Sequence, residues 1–104
     1  MAELSESELD DLIEQAIIDA YGDDEQTAGF YAMINDNLAL PFTTTVLGVE
    51  ADVVRVDVTA SGIVAICARG VDSQAIPILD LRLPLPPPPG SEWIAAYRRW
   101  AGGQ

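Results

Sequence analysis

Between residues 19 and 37 the chain carries Asp19, Asp23, Asp24, Glu25, Asn35, Asp36 and Asn37, with no basic residue among them. Carboxylates and side-chain amides are hard oxygen donors. With backbone carbonyls and water they form the set a hard divalent cation takes, since calcium gathers roughly 6 to 8 oxygens at ~2.3–2.6 Å. Asp19 and Asp23 fall near the expected C-terminal end of a first helix, and Asp36 near the end of a second. Orphan carbonyls and the negative end of the helix dipole collect at such ends, so an acid there is unfavourable unless a cation answers it. A plainer reading competes. Asp24 and Glu25 also suit the first turn of the second helix, where acids are favoured, and Asn35 to Asn37 suit a turn before Pro41. A standard EF-hand is excluded: a loop starting at Asp23 needs glycine sixth and glutamate twelfth, and the sequence supplies Ala28 and Ile34.

Other chemistries lack their residues. There is no histidine, which removes the commonest general base, the usual catalytic triad and most transition-metal sites. With no lysine, a phosphate-cradling loop of the Walker type is ruled out. The single cysteine, Cys67, lies in the apolar run IVAICA and reads as core filler rather than a zinc ligand or an activated thiol. The chain reads as no enzyme.

The acids must be positioned by helices. Leu9, Leu12, Ile13, Ala16, Ile17, Ala20 and Tyr21 follow the i, i+3, i+4, i+7 pattern of one apolar face. Ser5 with Glu8 reads as a capping box at the start of that helix, and Gly22 as its left-handed stop. A second helix is expected from about Asp24 to about Leu38, with Thr27, Tyr31, Ile34 and Leu38 as a stripe and Phe30 and Met33 beside it. Gly29 inside it costs ~1 kcal/mol against alanine. Pro41 closes the helical region.

From residue 43 the texture changes. TTTVLGVE, DVVRVDVT, GIVAICAR and QAIPIL are short runs rich in Val, Ile and Thr, separated by turn residues. Val54, Val56 and Val58 alternate with Arg55 and Asp57, as on a half-buried strand. Pro77 removes a donor from the fourth run, which is therefore expected at an edge or short. LPLPPPPG at 83 to 90 must be extended and reads as a strap carrying a last helix, SEWIAAYRRW, back over the β unit. Trp93, Tyr97 and Trp100 share one face of that helix. The expected fold is α+β: two N-terminal helices packed on a small antiparallel sheet or SH3-like barrel, with a short C-terminal helix. The 104 residues read as a single domain, with an acidic helical part at 1–42, a β unit at 43–83, and the strap with its helix at 84–104.

Charge is divided unevenly. Of 17 acids and 5 bases, residues 1–42 hold 11 acids and no base, while the remainder holds 6 acids and 5 arginines. That sign gives nothing to counterion release on nucleic acid and disfavours anionic membranes. No apolar run approaches the ~18 residues of a membrane span, and the acidic N-terminus lacks the layout of a signal peptide, so a cytoplasmic protein is expected.

DAYGDDEQTAGFYAMINDNLALPF, followed by short strands and a terminal EWIAAYRRW, resembles the small cyanobacterial-type calcium-binding proteins of the CcbP family. The resemblance runs from about residue 9 to residue 100. It implies a cytosolic, non-enzymatic Ca2+ binder, a buffer or weak sensor, with acidic side chains as ligands. Carried over position by position, Asp19, Asp23, Asp24 and Glu25 match acidic places of the motif, with Asp36 as a fifth. The chain departs from the pattern at Gly22, where the family carries a further acid. An alternative from another class is a small SH3-like interaction module whose acidic surface meets a basic or proline-rich protein. An acidic mimic of DNA ranks below both, because the negative charge is confined to one half.

Overall fold

The computed structural model describes residues 4–102. Helix α1 spans Glu6–Ile17, α2 spans Asp23–Asn37, and α3 spans Glu92–Gly102. Between α2 and α3 lie strands β1 (Phe42–Val46), β2 (Val49–Thr59), β3 (Gly62–Arg69) and β4 (Asp72–Pro77), then a one-turn 3-10 segment, Ile78–Asp80. The fold is α+β, as the sequence predicts.

Ser5 caps α1: its hydroxyl accepts from the Glu8 amide at 3.2 Å. The reciprocal half of the box differs from expectation, since the Glu8 carboxylate takes the Ser5 hydroxyl at 3.1 Å. α1 is shorter than its periodicity suggests. It stops at Ile17, and Ile18 and Tyr21 stand exposed beyond it.

The four strands form one antiparallel sheet in chain order, each pairing with the next across a tight turn. β4 is an edge strand and Pro77 is its last residue, which fits a residue that cannot donate to a ladder. The sheet is open, with β1 and β4 as its edges, rather than a closed SH3-like barrel. The segment after the 3-10 turn approaches β1 through the Thr44 hydroxyl, which donates to the Arg82 carbonyl. Among the described residues it adds no fifth strand to the ladder.

The expected alternation of Val54, Val56 and Val58 fails for a local reason. Val53 faces Cys67 and Arg55 faces Ile66, so Val54 is an extra residue, a bulge, between two regular rungs. Val53 and Val56 are the buried pair, and Val54 and Val58 are exposed.

One hydrophobic cluster draws on every layer. Phe30 and Ile34 of α2, Val53 of β2, Ile78 of the 3-10 turn and Ile94 of α3 are fully buried at its centre. Burying a side chain of that size contributes ~1.5–3 kcal/mol. Phe30 sits between Tyr97 and Trp100, with ring centroids 5.5 and 5.2 Å away, so the aromatic face of α3 is core, as its spacing predicts.

The proline segment starts beside β1, where Leu83 and Pro84 lie near Thr43 to Thr45, and then passes the end of α2. The Ala39 amide donates to the Pro89 carbonyl at 2.8 Å, and α3 is delivered against α1 and α2. Arg99 then pairs with Asp10 at 2.9 Å and with Glu6 at 3.9 Å, so one arginine of the C-terminal helix does answer the acidic half. The Asp10 hydrogen bond and its charge raise the Arg99 pKa.

Candidate functional site

The acids of interest lie on the link between α1 and α2, and its backbone decides where they point. After Ile17 the chain turns sharply: the Ala20 amide donates to the Ile17 carbonyl at 2.9 Å, and Asp19 takes a left-handed φ of 61°. Aspartate is among the few non-glycine residues that tolerate that region. Gly22 then adopts φ 90° and serves as the N-cap position of α2, its carbonyl accepting from the Gln26 amide at 3.1 Å. Gly22 is therefore the start of the second helix and not the stop of the first. An L-residue at that φ would be strained, so the position suits glycine.

This moves Asp23 from one helix to the other. It is the first residue of α2, and Asp23, Asp24 and Glu25 all occupy the first turn. Carboxylates there face the positive end of the dipole and four unpaired amides, so α2 itself favours them. Asp19 alone keeps the position beyond the C-terminus of α1. Glu25 reaches back, its Oε2 accepting from the Tyr21 amide at 2.6 Å, a charge-assisted bond that ties the link to the helix it precedes.

Asp36 is elsewhere. It is the penultimate residue of α2, thirteen positions beyond Asp23, and at 1.5 Å per residue the two are about 20 Å apart. No single cation reaches both. Its exposed neighbour Asn37 folds back one turn and donates to the Met33 carbonyl at 2.8 Å, so it closes the helix.

Asp19, Asp23, Asp24 and Glu25 are all exposed. Among the described residues the ion pairs join Arg99 to Glu6 and Asp10, and Arg55 to Asp57, and none engages these four. Nor, among the described residues, do three acidic or cysteine side chains converge as they stand into a metal-holding group. The donor chemistry nonetheless fits a hard cation: four solvent-exposed carboxylates close together in the chain, with room for water.

Gly29 holds this link in place. A Cβ built there would lie 2.0 Å from the Ala16 carbonyl oxygen of α1. The helices cross so closely that only glycine fits, and the crossing fixes how α1 enters the link. The sequence marks Gly29 only as a weak point in a helix; its use is visible only when α1 is laid against it.

On the remaining candidates, Cys67 is buried in the core, and burial raises its thiol pKa. Glu50 and Asp52 are exposed on β2, away from the link. Among the described residues, no helix is long and apolar enough to cross a membrane. A family model described as calcium binding matches residues 10–101, from α1 through the sheet and the proline segment into α3. No curated protein and no solved structure matches the chain.

Proposed function

From the premise that the chain belongs to the CcbP family of calcium-binding proteins, we propose that it is a non-enzymatic cytoplasmic Ca2+ buffer or weak sensor whose ligands come from the α1–α2 link. Asp19, Asp23, Asp24 and Glu25 supply the carboxylates, and water with carbonyls of the link completes the sphere. Asp36, at the far end of α2, belongs to a separate and weaker contact.

The observation that carries this reading is the gathering of four exposed carboxylates on the link and the first turn of α2, with no cationic side chain paired to them among the described residues. Each acid raises the repulsion on the others, and a divalent cation relieves all of them together. Glu25 is the residue through which binding would reach the fold. One of its oxygens already holds the Tyr21 amide, and the next residue, Gln26, accepts from the Trp100 indole at 3.2 Å.

The test is a calcium titration of the full chain followed by amide NMR and by thermal melting. Shifts concentrated at residues 19–25, with a melting temperature that rises with calcium, are expected, because a ligand of the folded state stabilises it by mass action. Unchanged amides at residues 19–25 in millimolar calcium would overturn the assignment of the site.

A further inference from the structure

We propose that the groove between α1, the proline segment and α3 docks a segment of another protein that is apolar on one face and bordered by Lys or Arg. The groove is a cavity of about 680 Å³ whose apolar lining comes from Leu9, Leu83, Leu85, Pro87, Ile94 and Ala95. It continues past Leu4 and Glu92 into a second hollow of about 440 Å³ bounded by Glu8, Asp11 and Leu12.

Leu85 is the anchor. It is 90 % exposed, a poor place for leucine in water, and it stands on the rim of an apolar groove. Prolines on both sides restrict its backbone, so it is presented without the ordering cost a flexible loop would incur. Ala95 opposite is small, so a partner's backbone can approach α3 closely.

Charge selects the occupant. Among the described residues, Glu92 and Arg98 of α3 line the groove itself and Glu8 and Asp11 of α1 border the adjoining hollow, three acids against one base along the two together. Glu6 and Asp10, by contrast, are engaged with Arg99. In a chain of net charge −12, a basic border on the partner is attracted and an acidic one repelled. None of these residues belongs to the calcium link, so the groove is independent of it.

The full chain, kept in EDTA, is titrated with a synthetic amphipathic Leu/Lys peptide and separately with its Leu/Glu counterpart, following amide NMR. The Leu/Lys peptide is expected to shift Leu9, Leu85, Ile94 and Ala95. Leu85→Ser should weaken binding about tenfold without lowering the melting temperature, and Glu8→Gln with Glu92→Gln should flatten its salt dependence. The proposal is overturned by any of four results: equal affinity for the Leu/Glu peptide, shifts confined to residues 19–25, unchanged affinity in Leu85→Ser, or contacts from residues 1–3 of the same chain filling the groove in the free protein.

Discussion

Replacing Gly29 by alanine inverts the usual effect of that substitution. In an isolated helix it is stabilising by about 1 kcal/mol. Here the added methyl would meet the Ala16 carbonyl oxygen at 2.0 Å and its carbon at 3.1 Å. Ordinary contact begins about 1.4 Å beyond the shorter distance, and the obstacle is backbone, which cannot rotate aside. α1 must withdraw from α2 by roughly that amount, loosening Ala16, Ile13 and Ile17 from the core. Overpacking of this kind costs about 3–4 kcal/mol, at or beyond the upper end for cores. After subtracting the propensity gain, the net loss is about 2–3 kcal/mol, or about 10–20 °C in melting temperature for a chain of this size. Urea unfolding read by Trp93 and Trp100 fluorescence measures it. Because α1 enters the link from this crossing, calcium affinity should fall as well. A variant that melts at or above the parent temperature would refute the close helix crossing and with it the account of how the link is held.

Four further outcomes are expected. Asp36→Asn should leave calcium affinity within about twofold, whereas Asp23→Asn with Asp24→Asn should lower it about tenfold or more, both by calorimetric titration, since charge count sets such affinities. Phe30→Ala should cost about 3–5 kcal/mol in urea unfolding, because its ring is fully buried between Tyr97 and Trp100. Thr44→Val keeps the shape but leaves the Arg82 carbonyl without its donor, and should cost about 1–3 kcal/mol by the same assay. Burial raises the Cys67 pKa from 9.0, so its contribution to stability is fully present below the unfolded thiol's pKa and is lost as pH rises toward the folded one. Melting curves of the parent should therefore fall above about pH 9 more steeply than those of Cys67→Ala.

Much of this was readable in the residues, for identifiable reasons. Ser5 and Glu8 announced the start of α1 because capping is local chemistry, and the Val, Ile and Thr runs announced four strands because turn residues bracket each one. Pro77 marked the edge because a missing amide leaves few alternatives. The misreadings share a cause. Ala20 and Tyr21 continue the apolar period, so α1 looked longer than it is, and glycine at 22 suits a helix stop as well as a helix start. Only the left-handed turn at Asp19, a tertiary choice, settles which helix owns Asp23. Val54 shows the same limit within a strand, since an alternating pattern does not reveal which residue the neighbouring strand will skip. The site was legible in its chemical type, a set of oxygen donors without cations; the expected helix from Asp24 to Leu38 already implied that Asp36 lies far from Asp23, and the structure gives that separation its length.

The bulge at Val54 also bears on how such chains can change length. A bulge bends its strand and increases local twist, so one residue sets the bend of β2 where it packs on α2. Removing Val54 alone would leave Asp52, Val53, Arg55 and Val56 in plain alternation, with Val53 and Val56 still facing inward. A single-codon deletion would thus flatten the sheet while every core side chain kept its side. Length differences between related chains are usually expected in turns, yet here the middle of the longest strand is a place where an insertion or deletion could reshape the surface without rewriting the interior.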